Sequence, residues 1–242
     1  MPDANPSDDN LHRFSGRMKR LLPTALWRPA RAVATGVMAP LRFAFTTGHF
    51  RSSLAMSAHA ADGSAIPWYT YPTIDFLAQR DFTGRNVLEF GGGQSTVWWS
   101  KRAASVLTFE ENAEWMARVK AQVGPNTTLH NVPIEGGDPI AEIRRLIAAH
   151  PVAKFDVIVI DGHLREKATA IAFDYLAPGG ALLLDNAEGY GVYAETSKRD
   201  CRRVDFFGFA PGVVMMHCTS LVYLDDCFLL SGKIPIPYIE RV

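Results

Sequence analysis

NVLEFGGGQSTVWWSKRAASVLTFEE, residues Asn86–Glu111, reads as strand, glycine turn, helix and second strand. Val87, Leu88 and Phe90 form a short apolar run that stops at Gly91-Gly92-Gly93, the way a buried parallel strand ends. Three glycines let the backbone turn through positive φ and let a ligand approach without a Cβ in the way. Ser95 and Thr96 can cap a helix running through Ala103, and the free N–H groups at its start offer a polar binding surface. A second apolar run, Val106–Phe109, ends in Glu110. An acid at that strand tip, roughly 20 residues after the glycines, is placed to hold a ribose diol.

Glu89 sharpens what is otherwise a generic nucleotide signal. A dinucleotide puts its pyrophosphate against such a turn, where a carboxylate repels it. The turn from Gly91 to Ser95 has no Lys or Arg to help hold phosphate, and Thr96 replaces the third glycine of the dinucleotide pattern. A ligand with an adenosine and a cationic amino-acid end suits both Glu89 and Glu110. The run Glu89-Phe90-Gly91-Gly92-Gly93 followed by Glu110 resembles the first two motifs of class I S-adenosylmethionine-dependent methyltransferases. The alternative is a turn that is merely tight.

The resemblance implies an α/β Rossmann-like sandwich: a seven-stranded, mostly parallel sheet with a C-terminal antiparallel strand and helices on both faces. It also implies S-adenosylmethionine as cofactor. Glu110 would take the ribose and Glu89 the amino end. The backbone of Gly91, Gly92 and Gly93 would follow the methionine portion, with Ser95 and Asp161 completing the set.

Outward from this unit the alternation of helix and strand continues. Helices are expected over Pro72–Gln79, Asn112–Val123, Pro139–His150, Glu166–Leu176 and Val192–Lys198. Strands are expected over Thr128–Val132, Phe155–Ile160 and Ala181–Leu184, and Arg203–Phe207 with Thr219–Leu224 fit a closing hairpin. Such alternation means a parallel sheet with right-handed crossovers, and ligands sit at the carboxyl ends of its strands. Glu89, Glu110, Asp161, Asp185 and Asn186 all fall at or near such ends.

Asp161, Asp185 and Asn186 are hard oxygen ligands of the kind Mg²⁺ accepts. A metal there would lower the pKa of a bound hydroxyl. The trio resembles the metal site of catechol-type O-methyltransferases, with a departure: their base, a Lys three residues after the first Asp, is here Leu164. His163, titrating near neutral pH beside Asp161, is the substitute base. Two other readings stay open: Asp161 bonding loop backbone, and Asp185-Asn186 opening a turn. His59, His130 and His217 share no metal-like spacing and are expected to be structural.

In the 242 residues, 25 Lys and Arg balance 25 Asp and Glu, so nothing global points to nucleic acid. Cys201, Cys218 and Cys227 are odd in number and lack metal spacing, as expected of reduced thiols in a cytoplasmic protein. Residues 1–66 read as an extension and 67–242 as the methyltransferase-type domain. Residues 1–10 are polar and expected to be disordered. From His12 to Arg31 there are six Lys or Arg and no acid. Leu26, Ala30, Val33, Val37 and Leu41 recur at helical spacing, although Pro29 and Pro40 are expected to interrupt a long helix. This basic segment can lie peripherally on an anionic membrane or a partner, or fold over the domain as a lid. Trp68, Tyr69 and Tyr71 form an aromatic cluster that either walls a pocket or covers the sheet edge. The function expected is methyl transfer to a small-molecule acceptor, foremost at oxygen. The alternative is a non-catalytic, membrane- or partner-associated protein of the same fold.

Overall fold

The computed structural model describes residues 23–231. The disorder expected of residues 1–10, and Arg13, Arg17, Lys19 and Arg20 of the basic segment, lie outside that range. The described chain opens with α1 (Thr24–Thr46), α2 (His49–Ala55) and α3 (Tyr71–Ala78). It continues β1 (Asn86–Phe90), α4 (Gln94–Ser100), β2 (Ser105–Glu110), α5 (Ala113–Lys120), β3 (Thr127–Asn131), α6 (Pro139–Ala149), β4 (Phe155–Ile160) and α7 (Arg165–Ala172). It closes with β5 (Leu176–Leu184), α8 (Val192–Thr196), β6 (Arg202–Phe209) and β7 (Met216–Tyr223).

The seven strands form one sheet in the order β3-β2-β1-β4-β5-β7-β6. The first five are parallel, while β7 inserts antiparallel between β5 and β6. Alternate side chains explain how one sheet supports two cores. Leu88, Leu107, Ile158, Ile160 and Leu182 face α6 and α7 through Ile143, Ile147 and Ile171. Val87, Val106, Val157, Val159 and Leu183 face α3 and α4 through Ile74, Leu77, Trp98 and Trp99. Ala58 and Ile66 join this second core, so packing runs continuously across the expected boundary at residue 66.

Three elements differ locally from the sequence reading. The helix after the glycine turn ends at Ser100, short of Ala103, and its N-cap is Gly93. Strand β5 begins early, at Leu176 opposite Phe155. It then bulges through Ala177–Gly180 before Ala181 pairs with Val157, because Pro178 has no N–H to give a ladder. And α1 is one continuous helix with Pro29 and Pro40 inside it. The expected break is absent, and among the described residues it is the C-terminal end of α1 that reaches the domain, through ring contacts of Phe43 with Tyr71, His49 and Phe209.

Candidate active site

The carboxyl ends of β1, β2, β4 and β5 meet at two cavities. The smaller, about 330 Å³, is lined by the glycine turn, Ser95, Glu110, Glu111, Trp115, Gly162 and His163. The larger, about 450 Å³, is lined by Asn186, Glu188, Tyr190, Val213, His217 and others. Trp68, Asp161 and Arg165 belong to both walls, so the two spaces adjoin across those three side chains.

The three glycines do different things. Gly91 has φ +96°, and a Cβ on it would lie 2.4 Å from the Gly162 nitrogen, so the tips of β1 and β4 touch only because neither residue carries a side chain. A Cβ on Gly92 would press on Thr108 at 2.9 Å, whereas Gly93 sits in extended backbone with room beside Trp115. Only the first of the three therefore needs the left-handed conformation.

Glu110 fixes the turn. Its carboxylate accepts the Gly92 N–H and the Asn112 N–H, each at 2.8 Å. Burial raises its pKa, opposed by those two backbone donors. Each oxygen keeps a lone pair that can accept a further hydroxyl from the cavity. Trp115 donates its indole N–H to the Gly92 carbonyl at 2.7 Å, bracing the turn from α5.

Glu89 is elsewhere. It lies fully buried beneath the turn and lines neither cavity. One oxygen accepts the hydroxyls of Thr96 and of Thr108, while the other, Oε1, is buried with no partner. Thr96 in turn accepts the Gly93 N–H at 3.0 Å. Burial pushes the Glu89 carboxyl up to about 7, against the hydroxyls of Ser95, Thr96 and Thr108.

Asp161, Asp185 and Asn186 converge as expected, but on a cation the chain supplies itself. Arg165 Nη2 donates to Asp161 Oδ1 at 2.7 Å and to Asn186 Oδ1 at 3.1 Å. Its Nε donates to the Asp185 carbonyl and its Nη1 to the Gly162 carbonyl. Asp185 Oδ1 accepts the Thr219 hydroxyl at 2.8 Å. Burial raises both aspartate pKa values, the Asp161 charge adds to the rise at Asp185, and Arg165 opposes it at both. A dication would compete for the same oxygens and be repelled by the guanidinium. The trio does not fit Mg²⁺ in this arrangement, and among the described residues no group of three or more His, Cys, Asp or Glu could hold a metal ion. Asn186 stands at φ +49°, a left-handed position that Asn tolerates.

His163 pairs through Nδ1 with Glu111, is largely exposed, and lines only the smaller of these two cavities. The histidine in the larger cavity is His217, which the sequence reading set aside as structural. Its Nδ1 lies 2.9 Å from Glu188 Oε1, and Glu188 Oε2 accepts the Cys218 N–H. That fixes the ring and leaves Nε2 as the unengaged nitrogen. No spacing signal could have revealed this, since Glu188 and His217 come from different segments. Arg165 had a signal: a cation four residues after Asp161, at the head of a helix with a buried face. The aromatic cluster divides. Trp68 walls both cavities and donates to the Pro211 carbonyl, while Tyr69 is buried and accepts from Trp99.

No family model and no curated protein matches this sequence. Solved structures do match in three dimensions. An O-methyltransferase from Bacillus cereus, in complex with S-adenosylhomocysteine (SAH), superposes with TM-score 0.52 at 14% identity, covering 80% of this chain and 96% of that one. The fold is that of class I S-adenosylmethionine-dependent methyltransferases. An rRNA methylase from Streptococcus thermophilus gives TM-score 0.45 at 14% identity, over 61% of this chain and 90% of its own. A tRNA methyltransferase from Aquifex aeolicus gives 0.44 at 15%, over 64% and 70%. Within this methyltransferase fold, the glycine turn closes β1 and Glu110 closes β2, as the sequence resemblance implies.

Proposed function

We propose that this chain transfers the methyl group of S-adenosylmethionine to a hydroxyl of a small molecule bound in the 450 Å³ cavity. The observation that carries the reading is the shared wall of Trp68, Asp161 and Arg165, across which two ligands can touch. The cofactor fits the smaller side. Glu110 offers lone pairs to a ribose diol, and the Cβ-free Gly93 leaves the turn open to the amino-acid portion. The orphaned Oε1 of Glu89 leaves an unpartnered carboxyl oxygen under that turn. An apolar slot of about 30 Å³, edged by Phe109, Val132, Ile134 and Leu164, continues from Glu110 and Gly162, and it would have to widen to take the face of an adenine. When bound, the cofactor supplies an electrophilic methyl on a sulfonium.

The chain's own residues do the rest. Trp68 and Arg165 confine the two ligands so that the acceptor oxygen lines up with the methyl carbon, a positioning effect. His217 Nε2 is the nitrogen that would receive the proton of the acceptor hydroxyl. Glu188 holds the ring and stabilises the imidazolium. The aromatic faces of Trp68 and Tyr190 and the carboxylate of Glu188 favour a flat or hydroxylated neutral acceptor over an anionic one.

Isothermal calorimetry with SAH tests the cofactor half, and methyl release on hydroxylated acceptors tests the reaction. We expect binding that weakens about tenfold or more in Glu110→Gln, which replaces an ionised acceptor by an amide. A chain that takes up a pyridine dinucleotide and ignores SAH would end the proposal.

A further inference from the structure

Helix α1 is the element the catalytic reading leaves over. Leu26, Val33, Val37 and Leu41 share one side of it, and each is between 54% and 67% exposed. Arg28 and Arg31 lie on the opposite side, also exposed. A helix packed only at one end is marginal in water, and each internal proline removes one of its hydrogen bonds. An apolar face left this open marks a surface that another body covers.

The surface continues beyond α1. The Phe45 ring meets Phe50 of α2 at 5.5 Å, and the exposed Leu54 and Met56 follow. The backbone of α2 abuts the β6–β7 turn at Gly212, where a Cβ would lie 2.6 Å from the Ser53 nitrogen and where φ is +73°. The next residues of that turn, Val214 and Met215, are 82% and 66% exposed. Val213, beside them, lines the larger cavity, so the patch reaches its rim.

Charge selects the occupant. Of the described residues, 23–61 hold four Lys or Arg (Arg28, Arg31, Arg42 and Arg51) and no Asp or Glu. A second copy of the chain would set this basic surface against itself, whereas an anionic bilayer complements it. We propose that α1, with α2 and the β6–β7 turn, docks the protein on an anionic lipid surface, the helix lying in the interface with its apolar side toward the acyl chains. No described helix is long and apolar enough to cross a membrane, so the contact is with the surface. This docking stands independently of the methyl-transfer reading.

The test is co-sedimentation of the full chain with phosphatidylcholine vesicles made with and without phosphatidylglycerol. The chain is expected to pellet only with the anionic vesicles, and added salt should release it. Exchanging Arg28 and Arg31 for Gln lowers partitioning about fivefold per arginine removed. The pair Val37→Glu and Leu41→Glu abolishes it with the thermal transition of the domain unchanged. Equal binding to neutral vesicles, no binding to either kind, or wild-type binding by the Val37→Glu, Leu41→Glu variant each overturns the proposal. So does a dimer, seen by light scattering, that this variant dissociates.

Discussion

The cofactor side and the acceptor side of the crevice are built in opposite ways. The first is built around one continuous run, β1 to the start of α5, in which Gly92, Glu110 and Asn112 bond one another over 18 residues or fewer, closed by Trp68 and the tip of β4. The second is assembled from Trp68, Arg165, Glu188, Tyr190 and His217, which come from four separate segments, with His217 carried in on β7 between β5 and β6. A site made of one run is fixed by local chemistry and can be read from a motif. A site made of several is fixed by the sheet and can vary without leaving a trace in any single stretch. The same contrast appears in charge: the first side uses carboxylates tied to backbone, the second neutralises its buried carboxylates with a guanidinium.

The strongest way to break this contrast is Arg165→Ala. Removing the cation leaves Asp161 and Asp185 buried and unpaired, a loss of about 3–5 kcal/mol that urea unfolding would register. Because Arg165 stands in both walls, acceptor turnover and SAH affinity should fall together. If stability is unchanged, the guanidinium is not what holds the two sides in register.

A second substitution separates the sides. His217→Asn should lower kcat about 10²–10⁴-fold while leaving SAH affinity intact. His163→Asn, on the other side, should change kcat little. The reverse ranking in steady-state rates would return the base to His163 and move the reaction to the smaller cavity.

The smallest effect sharpens the cofactor side. Glu89 in the folded chain has its carboxyl raised to about 7, from an ordinary value of 4.5. The folded state therefore keeps a proton that the unfolded chain releases. The associated stability is fully present below pH 4.5 and is lost as pH rises through 7, on the order of 3 kcal/mol in all. Glu89→Gln removes that titration, so its unfolding free energy should decline less across this window than the wild type's, the raised carboxyls of Asp161 and Asp185 remaining. Parallel curves for the two proteins would mean that Glu89 is ionised in the folded state.

How much of this was legible follows the same division. The β1–α4–β2 unit, the apolar FDVIVI strand and the closing hairpin all announce themselves by periodicity and turn residues, and they stand where the sequence puts them. The convergence of Glu110, Asp161, Asp185 and Asn186 was equally readable, since strand ends of a parallel sheet share one edge. What the strand-end acids converge on was not. Leu164 stands where catechol-type O-methyltransferases carry lysine, yet the next residue, Arg165, places its guanidinium among those oxygens. The continuous α1 was missed because two prolines outweighed a helical pattern of apolar residues.

By itself the sequence determined the layer order and the cofactor-side turn, because both rest on interactions between residues close along the chain. Tertiary structure alone decided that Glu89 lies under the turn, that Arg165 occupies the acidic cluster, and that His217 meets Glu188 in the larger cavity. Those outcomes depend on burial and on distances between remote segments, and a buried charge or an oriented imidazole acquires its character only from neighbours that the fold brings to it.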